Sequence, residues 1–308
     1  MQTRRTIVLL PLAVLLLAGC SGDRIGARPR IAVVVKALDS EFWLEVKKGV
    51  EAAAEAHPEL EVSIMAPQRE IDIDQQVALL ENQIARKVDA IVLSPSGVSQ
   101  VIPALDRARA TGIPVVILDT DVPWTGKLTY VGSDNRLGGR LAGEFMVKRL
   151  GGRGRVAVLG GVPGVETAEA RSSGFREAVA AAPGIQIVAE QPANFDRSLA
   201  MTVMENILTV NSQLDGIFAA NDQMALGALE ALSARGRAEK TVIIGFDALS
   251  EIRGHIRAGR IHAAVAQRPF EMGRQAVAAA AKAIRGESVE PVLDTGTVLI
   301  TAENVDQK

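Results

Sequence analysis

The sequence predicts an α/β protein made of two similar lobes, each with a doubly wound parallel sheet. From Arg30 onward, apolar runs of strand length alternate with amphipathic segments of helix length, as in repeated βαβ units. The strand pattern of the first half returns in the second half with an offset of roughly 125 residues. At 308 residues, with 48% hydrophobic and 23% charged side chains, the chain is long enough for two cores.

The first half contains three predicted strands with helix-like stretches between them. These strands are 30–35 (RIAVVV), 88–94 (VDAIVLS) and 113–121 (IPVVILDTD). After the first strand, Phe42, Val46, Val50 and Ala53 recur at the spacing of one helical face. Continuous apolar runs of this length are typical of parallel strands that helices cover on both faces.

The second half repeats the plan, with strands predicted at 154–161 (GRVAVLGG), 214–222 (LDGIFAAND) and 240–248 (KTVIIGFDA). Open α/β sheets bind their ligands at the carboxyl ends of the strands. If both sheets present these ends to a shared cleft, the polar residues just after strands are candidate contacts. They are Ser40, Asp119, Asn221 and Asp247.

Two polar residues mark the junction in IFAANDQMALGALEAL, where a strand runs directly into a helix. A carboxylate at a helix N-terminus satisfies free backbone N–H groups and complements the helix dipole. We therefore expect Asp222 to cap the helix. Asn221 is then free to face a ligand.

The strand-end residues favour the binding of a polyhydroxyl ligand. Asp119 and Asp247 are charged acceptors for hydroxyl hydrogen bonds, and the rings of Phe42 and Trp43 suit the apolar C–H face of a sugar. Capping of the next turn is an equally good explanation for either aspartate alone, and core packing is the better one for Phe42 alone. Trp124, in the loop DVPWTG, is predicted to lie at the rim or surface.

Several function classes are disfavoured by the sequence. A net charge of −2 provides no basic surface for nucleic acid. The glycine clusters lack dinucleotide-binding or Walker spacing, Ser96 lacks a nucleophile-elbow motif, and the three histidines have no metal-ligand spacing. We expect no enzyme activity, no cofactor and no metal site, although Asp119 and Asp247 would be the acid and base of an enzyme if one existed.

The N-terminus has the features of an export signal. Two arginines precede an apolar run at 7–17 that is too short to span a bilayer, and LAGC follows. This motif resembles the bacterial lipobox, which predicts a signal peptide over 1–19, lipid attachment at Cys20 and a tether over 20–29. Cys20 is the only cysteine, so a monomer has no internal disulfide. The alternative is a buried free cysteine beside a cleavage site.

From Arg30 to near the C-terminus, the chain resembles the periplasmic sugar-binding proteins of the ribose-binding type. The segments that carry the resemblance are SDNRLGGRLAG (133–143), QPANFDR (191–197), FAANDQMALGALEAL (218–232), VIIGFDA (242–248) and AAVAQRPFEMG (263–273). The resemblance implies the type I periplasmic binding protein fold, in which three strands cross between the lobes as a hinge. The implied lobes are 30–132 with 268–294, and 133–267 with 295–308.

The resemblance also implies a set of ligand contacts. They are Ser40, Phe42, Trp43, Asp119, Thr120, Arg171, Phe195, Asn221, Asp247 and Gln267. In that set Phe195 covers the sugar face opposite the Phe42–Trp43 pair, and Arg171 reaches the ring oxygen or hydroxyls with its planar fork. Ser40 and Thr120 replace the asparagine and the arginine of ribose binders. We expect these replacements to remove one amide and one cation, and therefore to disfavour ribose itself.

The implied function is capture of a sugar or polyol between two closing lobes and its delivery to an ABC importer permease. The protein is then a monomeric, membrane-anchored lipoprotein outside the cytoplasm that binds no nucleic acid. The alternative is a sensory protein of the same fold that presents its ligand to a receptor kinase or chemoreceptor. The sequence leaves open the identity of the ligand, the membrane that carries the anchor, and whether Lys36, Glu41 or Asp121 touches the ligand.

Overall fold

The computed structural model describes residues 27–307. Its strands are β1 (Arg30–Val34), β2 (Glu61–Met65), β3 (Ala90–Leu93), β4 (Val115–Leu118), β5 (Thr129–Gly132), β6 (Arg153–Gly160), β7 (Gly184–Pro192), β8 (Gly216–Ala219), β9 (Val242–Asp247), β10 (Ala263–Ala266), β11 (Val292–Asp294) and β12 (Val298–Thr301). Its helices are α1 (Glu41–Ala56), α2 (Ile73–Ala85), α3 (Val98–Ala110), α4 (Asn135–Arg149), α5 (Glu166–Ala180), α6 (Arg197–Val210), α7 (Asp222–Ala234), α8 (Ser250–Arg257) and α9 (Pro269–Ile284). The predicted signal peptide and Cys20 lie outside the described residues.

The strands form two six-stranded sheets with the same internal order. The first sheet runs β2-β1-β3-β4-β5-β11 and the second runs β7-β6-β8-β9-β10-β12. If the strands of each lobe are numbered along the chain, their order across the sheet begins 2-1-3-4-5. This is one of the two common orders of doubly wound sheets. Neighbouring strands are parallel except for β12, which is antiparallel to β10. The predicted fold class of two similar doubly wound lobes is confirmed.

Strand β1 shows why the predicted strands are continuous apolar runs. Ile31 and Val33 belong to a core cluster with α1 and α9, whereas Ala32 and Val34 belong to a cluster with α2 and α3. Successive side chains of a strand point to opposite faces of the sheet. Because helices cover both faces, the four positions after Arg30 are all apolar and buried.

The chain passes between the two sheets three times: after β5, after β10 and between β11 and β12. The first and third crossings are bonded to each other. The backbone N–H and the hydroxyl of Thr295 donate to the carbonyl of Gly132 at 2.8 and 3.0 Å, and the hydroxyls of Ser133 and Thr295 are 3.4 Å apart. These bonds tie the ends of β5 and β11 together where the chain leaves the first sheet. The lobe limits implied above stay a prediction.

Close helix packing positions part of the second lobe. A methyl group on Gly139 of α4 would overlap the backbone carbonyl of Arg171 on α5, and one on Gly174 would overlap the carbonyl of Arg136. The two helices therefore cross with their backbones in contact. This crossing sets the distance of Arg171 from the sheet.

We expect Gly139→Ala to lower the free energy of unfolding by about 1–3 kcal/mol, since the added methyl must force α4 and α5 apart. Gly254→Ala is the matched control, because Gly254 is an exposed position of α8 with nothing within 4 Å of an added methyl. That control should be neutral or stabilising by up to about 1 kcal/mol. Chemical denaturation measures both, and a fully stable Gly139→Ala protein would contradict the packing described here.

Candidate ligand-binding site

The candidate site is a cavity of about 410 Å³ at the carboxyl ends of both sheets. Strands β1 and β4 of the first lobe end at its wall, as do β8 and β9 of the second lobe. Nine of the ten predicted contacts line it: Ser40, Phe42, Trp43, Asp119, Arg171, Phe195, Asn221, Asp247 and Gln267. Thr120 is fully buried but is not among the lining residues.

A lysine supplies the positive charge of the first lobe. The ammonium group of Lys36, just beyond β1, donates to Thr120 Oγ1 at 2.6 Å and lies 3.3 Å from Asp119 Oδ2. Thr120 Oγ1 in turn donates to Asp119 Oδ2 at 2.8 Å. The expectation that a threonine at position 120 removes a cation from the pocket was therefore wrong, because Lys36 brings one from a different strand.

The second lobe holds its cation by several contacts. Arg171 donates from Nε to Asn135 Oδ1 and from Nη1 to the carbonyl of Ala220, both at 2.8 Å. Its guanidinium lies 3.9 Å from the ring centroid of Phe246, and Nη1 is also 3.9 Å from Asp247 Oδ1. The planar group is thus fixed in orientation before any ligand arrives.

Asp247 is a buried carboxyl at the end of β9. Gln267 Nε2 donates to its Oδ1 at 2.7 Å. Burial raises the pKa of Asp247 to about 6, against the opposing effects of the Arg171 guanidinium and the Gln267 bond. Desolvation therefore outweighs the attraction of the neighbouring cation.

Backbone strain is concentrated at the cavity. Asp119 and Asp247 have φ values of 63° and 106°, and Asn194, Phe195 and Ala248 have values of 53°, 60° and 54°. Residues other than glycine rarely adopt such conformations, and they persist only where surrounding contacts enforce them. The strained backbone directs both aspartates from their strand ends into the cavity.

The roles expected of Asn221 and Asp222 were wrong in part. Asn221 is the cap of α7, because its Oδ1 accepts from the backbone N–H of Met224 at 2.9 Å, while its Nδ2 donates to the carbonyl of Phe195 at 3.3 Å. Asp222 instead accepts from the backbone N–H of Leu249 at 2.8 Å. Asn221 thus lines the cavity and caps the helix at once, and Asp222 holds a neighbouring loop.

Three aromatic residues line the cavity. The rings of Phe42 and Trp43 meet edge to face with centroids 5.0 Å apart, and Phe195 lies on the other lobe. Trp43 is only 2% exposed, and its indole N–H donates to Glu70 Oε1 at 2.6 Å. The indole is therefore both part of the first-lobe core and part of the cavity wall.

The prediction that Trp124 lies at the rim or surface was wrong. Its side chain is only 6% exposed and packs in the cluster beneath α2 and α3. The indole N–H donates to Asp106 Oδ1 at 2.8 Å, which satisfies the polar atom of a buried ring. A methyl on Gly126 would overlap this ring, so the loop glycine is what admits it.

Glu70 is a charged lining residue that the sequence reasoning missed. It follows β2, an edge strand that is not a continuous apolar run and was therefore not recognised. Burial raises the pKa of its carboxyl, whereas Lys36 and the bond from Trp43 act in the opposite direction. The rule that polar residues after strands are candidate contacts would have identified Glu70 once β2 was known.

The charged residues left open by the sequence have different positions. Lys36 and Asp39 line the cavity. Asp121 forms an ion pair with Lys127 instead, and Glu41 bonds to Ser250 of the other lobe. In residues 27–307, no cluster of histidine, cysteine and acidic side chains is suited to a metal ion.

The family profile of the periplasmic binding protein domain matches residues 31–288. The chain belongs to this family. Within the described part of the chain, none of the helices is long and apolar enough to span a bilayer.

Relatives and solved structures agree with this assignment. The chain is 34% identical over 304 residues to the ribose import binding protein of Bacillus subtilis, covering 96% of this chain and 97% of that protein. A periplasmic solute-binding protein of an ABC transporter from Actinobacillus succinogenes, with bound D-allose, has a TM-score of 0.85 and 34% identity, covering 91% and 100% of the two chains. A solute-binding protein from Bacillus halodurans, with bound myo-inositol, has a TM-score of 0.87 and 30% identity, covering 91% and 97%.

We expect Asp247→Asn to stabilise the protein without ligand at pH 8. The raised pKa means that the folded state binds the proton of Asp247 more tightly than the unfolded state does. The contribution of this group to stability therefore increases as the pH falls through about 6. An asparagine is neutral at every pH and never carries the cost of burying an ionised carboxylate. The variant should therefore have a higher melting temperature than the wild type at pH 8.

The difference in melting temperature should shrink between pH 8 and pH 5, as wild-type Asp247 takes up its proton. Asp121→Asn, which removes a carboxylate outside the cavity, is the control and should not show this pH-dependent gain. A lower melting temperature for Asp247→Asn at pH 8 would mean that attraction to Arg171 outweighs the cost of burial.

Proposed function

We propose that this chain binds one neutral monosaccharide or cyclic polyol in its cavity and delivers it to an ABC importer. The observation that carries the proposal is the pairing of the buried charges. Lys36 lies against Asp119 in one lobe and Arg171 lies near Asp247 in the other. Since each cation already has a carboxylate partner, the cavity favours hydroxyl groups over a charged ligand.

The relatives support this ligand class. The Bacillus subtilis relative is a ribose import protein, and the two solved structures contain D-allose and myo-inositol. These compounds share a small ring with several hydroxyl groups. All three relatives favour an import role over the sensory alternative, and the family favours a position outside the cytoplasmic membrane.

The residues have distinct proposed roles. Asp119 and Asp247 accept hydroxyl hydrogen bonds, and Arg171, Asn221 and Gln267 donate or complete them. Phe42, Trp43 and Phe195 cover the apolar faces of the ring, with Ser40 beside them. Thr120 does not line the cavity, and its hydroxyl holds Lys36 against Asp119. Binding is followed by no chemical change in the sugar.

Closure of two lobes around the ligand explains how a transporter would distinguish loaded from empty protein. The proposed lobes are 30–132 with 268–294 and 133–267 with 295–308, and the protein works as a monomer. Contacts from both lobes to one ligand stabilise the closed form, because the ligand has greater affinity for that form than for the open one.

A thermal-shift screen with D-ribose, D-allose and myo-inositol tests the proposal. A ligand at about a thousandfold its dissociation constant should stabilise the protein by roughly 4 kcal/mol. Asp119→Asn is the matched variant and should lose most of the shift. Chromatography should recover the sugar unchanged. No shift with these compounds or with a wider set of sugars and polyols would refute the proposed ligand class.

We also propose that Cys20 carries a lipid anchor, on the basis of LAGC after a charged and apolar signal. Two acyl chains on one residue suffice for stable attachment to a membrane. Cys20→Ala should therefore release the protein into the soluble extracytoplasmic fraction, as measured by cell fractionation. Full retention of the variant in the membrane fraction would count against the anchor.

A further inference from the structure

A short segment of the second lobe rests on the first lobe at the edge of the cavity. Leu249, which lines the cavity, packs against the first-lobe core cluster that contains Phe42 and Trp43. The next residue, Ser250, donates from its hydroxyl to Glu41 Oε1 at 2.6 Å. Its backbone N–H lies 3.2 and 3.3 Å from the two oxygens of the same carboxylate.

This contact places a helix cap in the opposite lobe. Ser250 is the first residue of α8, and the preceding residue, Leu249, has an apolar side chain that makes no capping bond. The first N–H groups of a helix need acceptors and favour a negative charge. Glu41, at the start of α1, supplies both to a helix of the other lobe.

The segment 248–250 is also hydrogen-bonded to its own lobe. Asp222 Oδ2 accepts from the backbone N–H of Leu249 at 2.8 Å, and Arg253 Nε donates to the carbonyl of Ala248 at 2.8 Å. The bond between Glu41 and Ser250 therefore connects the first lobe to a fixed part of the second lobe.

Both ends of the contact adjoin cavity residues. Glu41 lies between Ser40 and Phe42 in the chain, and Ser250 follows the cavity residue Asp247 by three positions. Lobe closure therefore brings the cap and the ligand contacts together at once.

We propose that Glu41 and Ser250 form a clasp that holds the two lobes closed by capping α8 across the cleft. Both are positioning residues. They do not contact the ligand, and they strengthen the binding of any ligand by favouring the closed form. The bonds join protein atoms only, so the clasp shifts the equilibrium of the empty protein towards the closed form, and a ligand is still needed to make that form predominate. The clasp rests on one part of the proposed function, which is that the two lobes open and close around a solute.

The test compares Glu41→Ala and Ser250→Ala with Glu45→Ala, whose carboxylate lies on the same helix but pairs with Lys48 of its own lobe. Hydrogen exchange and small-angle scattering are recorded on each protein without ligand. Backbone amides in the first turn of α8 should exchange several-fold faster in Glu41→Ala, and its radius of gyration should increase. Ser250→Ala keeps its backbone N–H and should show a smaller change.

Calorimetry with D-ribose and D-allose supplies the second readout. Glu41→Ala should raise the dissociation constant of every sugar that binds by one common factor of roughly three to ten, as for one partly exposed charge-assisted bond. Adding Ser250→Ala to Glu41→Ala should change nothing further, because both remove the same contact.

Unchanged exchange and scattering in Glu41→Ala would overturn the clasp. Different factors for the two sugars would also overturn it, since they would mean that Glu41 touches the ligand. If neither sugar binds, the proposed ligand class fails, whereas the exchange and scattering results still decide the clasp.

Discussion

Each lobe buries one cation near one carboxylate where its fourth strand ends, and the rest of the site depends on this constraint. Asp119 follows β4 and Asp247 ends β9, which occupy the same place in the two sheets. A charge at this depth needs a partner, because the cost of removing it from water is several kcal/mol. Lys36 and Arg171 supply those partners, and their own positions follow from the strand and helix that carry them.

The two pairs are built differently. Lys36 and Asp119 are joined directly and through Thr120, whereas Arg171 is held mainly by Asn135, the carbonyl of Ala220 and the ring of Phe246. Burial raises the pKa of Asp247, and the Arg171 guanidinium 3.9 Å away opposes this only in part. An acceptor that is costly to keep ionised in the empty cavity gains when a ligand hydroxyl donates to it.

The local pattern of the sequence predicted the two sheets and the strand-end residues of the cavity, whereas Arg171, Phe195 and Gln267 were implied only by the family resemblance. Buried parallel strands are continuous apolar runs, and the residues after them, such as Asp119 and Asn221, come to the same edge of a sheet. What it missed depends on partners that are distant in the chain. Trp124 is buried because Asp106 accepts its N–H, and Glu70 is found only once the weak strand β2 is known.

The exchange of roles between Asn221 and Asp222 has the same origin. Either side chain could cap α7, and the choice is made by Leu249, whose backbone N–H takes the carboxylate of Asp222 and leaves the cap to the amide. Likewise, the sequence reasoning expected no cation beside Thr120. Lys36, 84 positions earlier in the chain, places its ammonium group there.

A crystal structure of the protein with the sugar or polyol that it binds most tightly tests most directly whether these paired charges form the ligand site. The expected result is one molecule between the lobes, with hydroxyl groups within hydrogen-bond distance of both Asp119 and Asp247 and with Lys36 still against Asp119. A ligand that contacts only one of the two aspartates, or that lies outside the cavity, would contradict this arrangement.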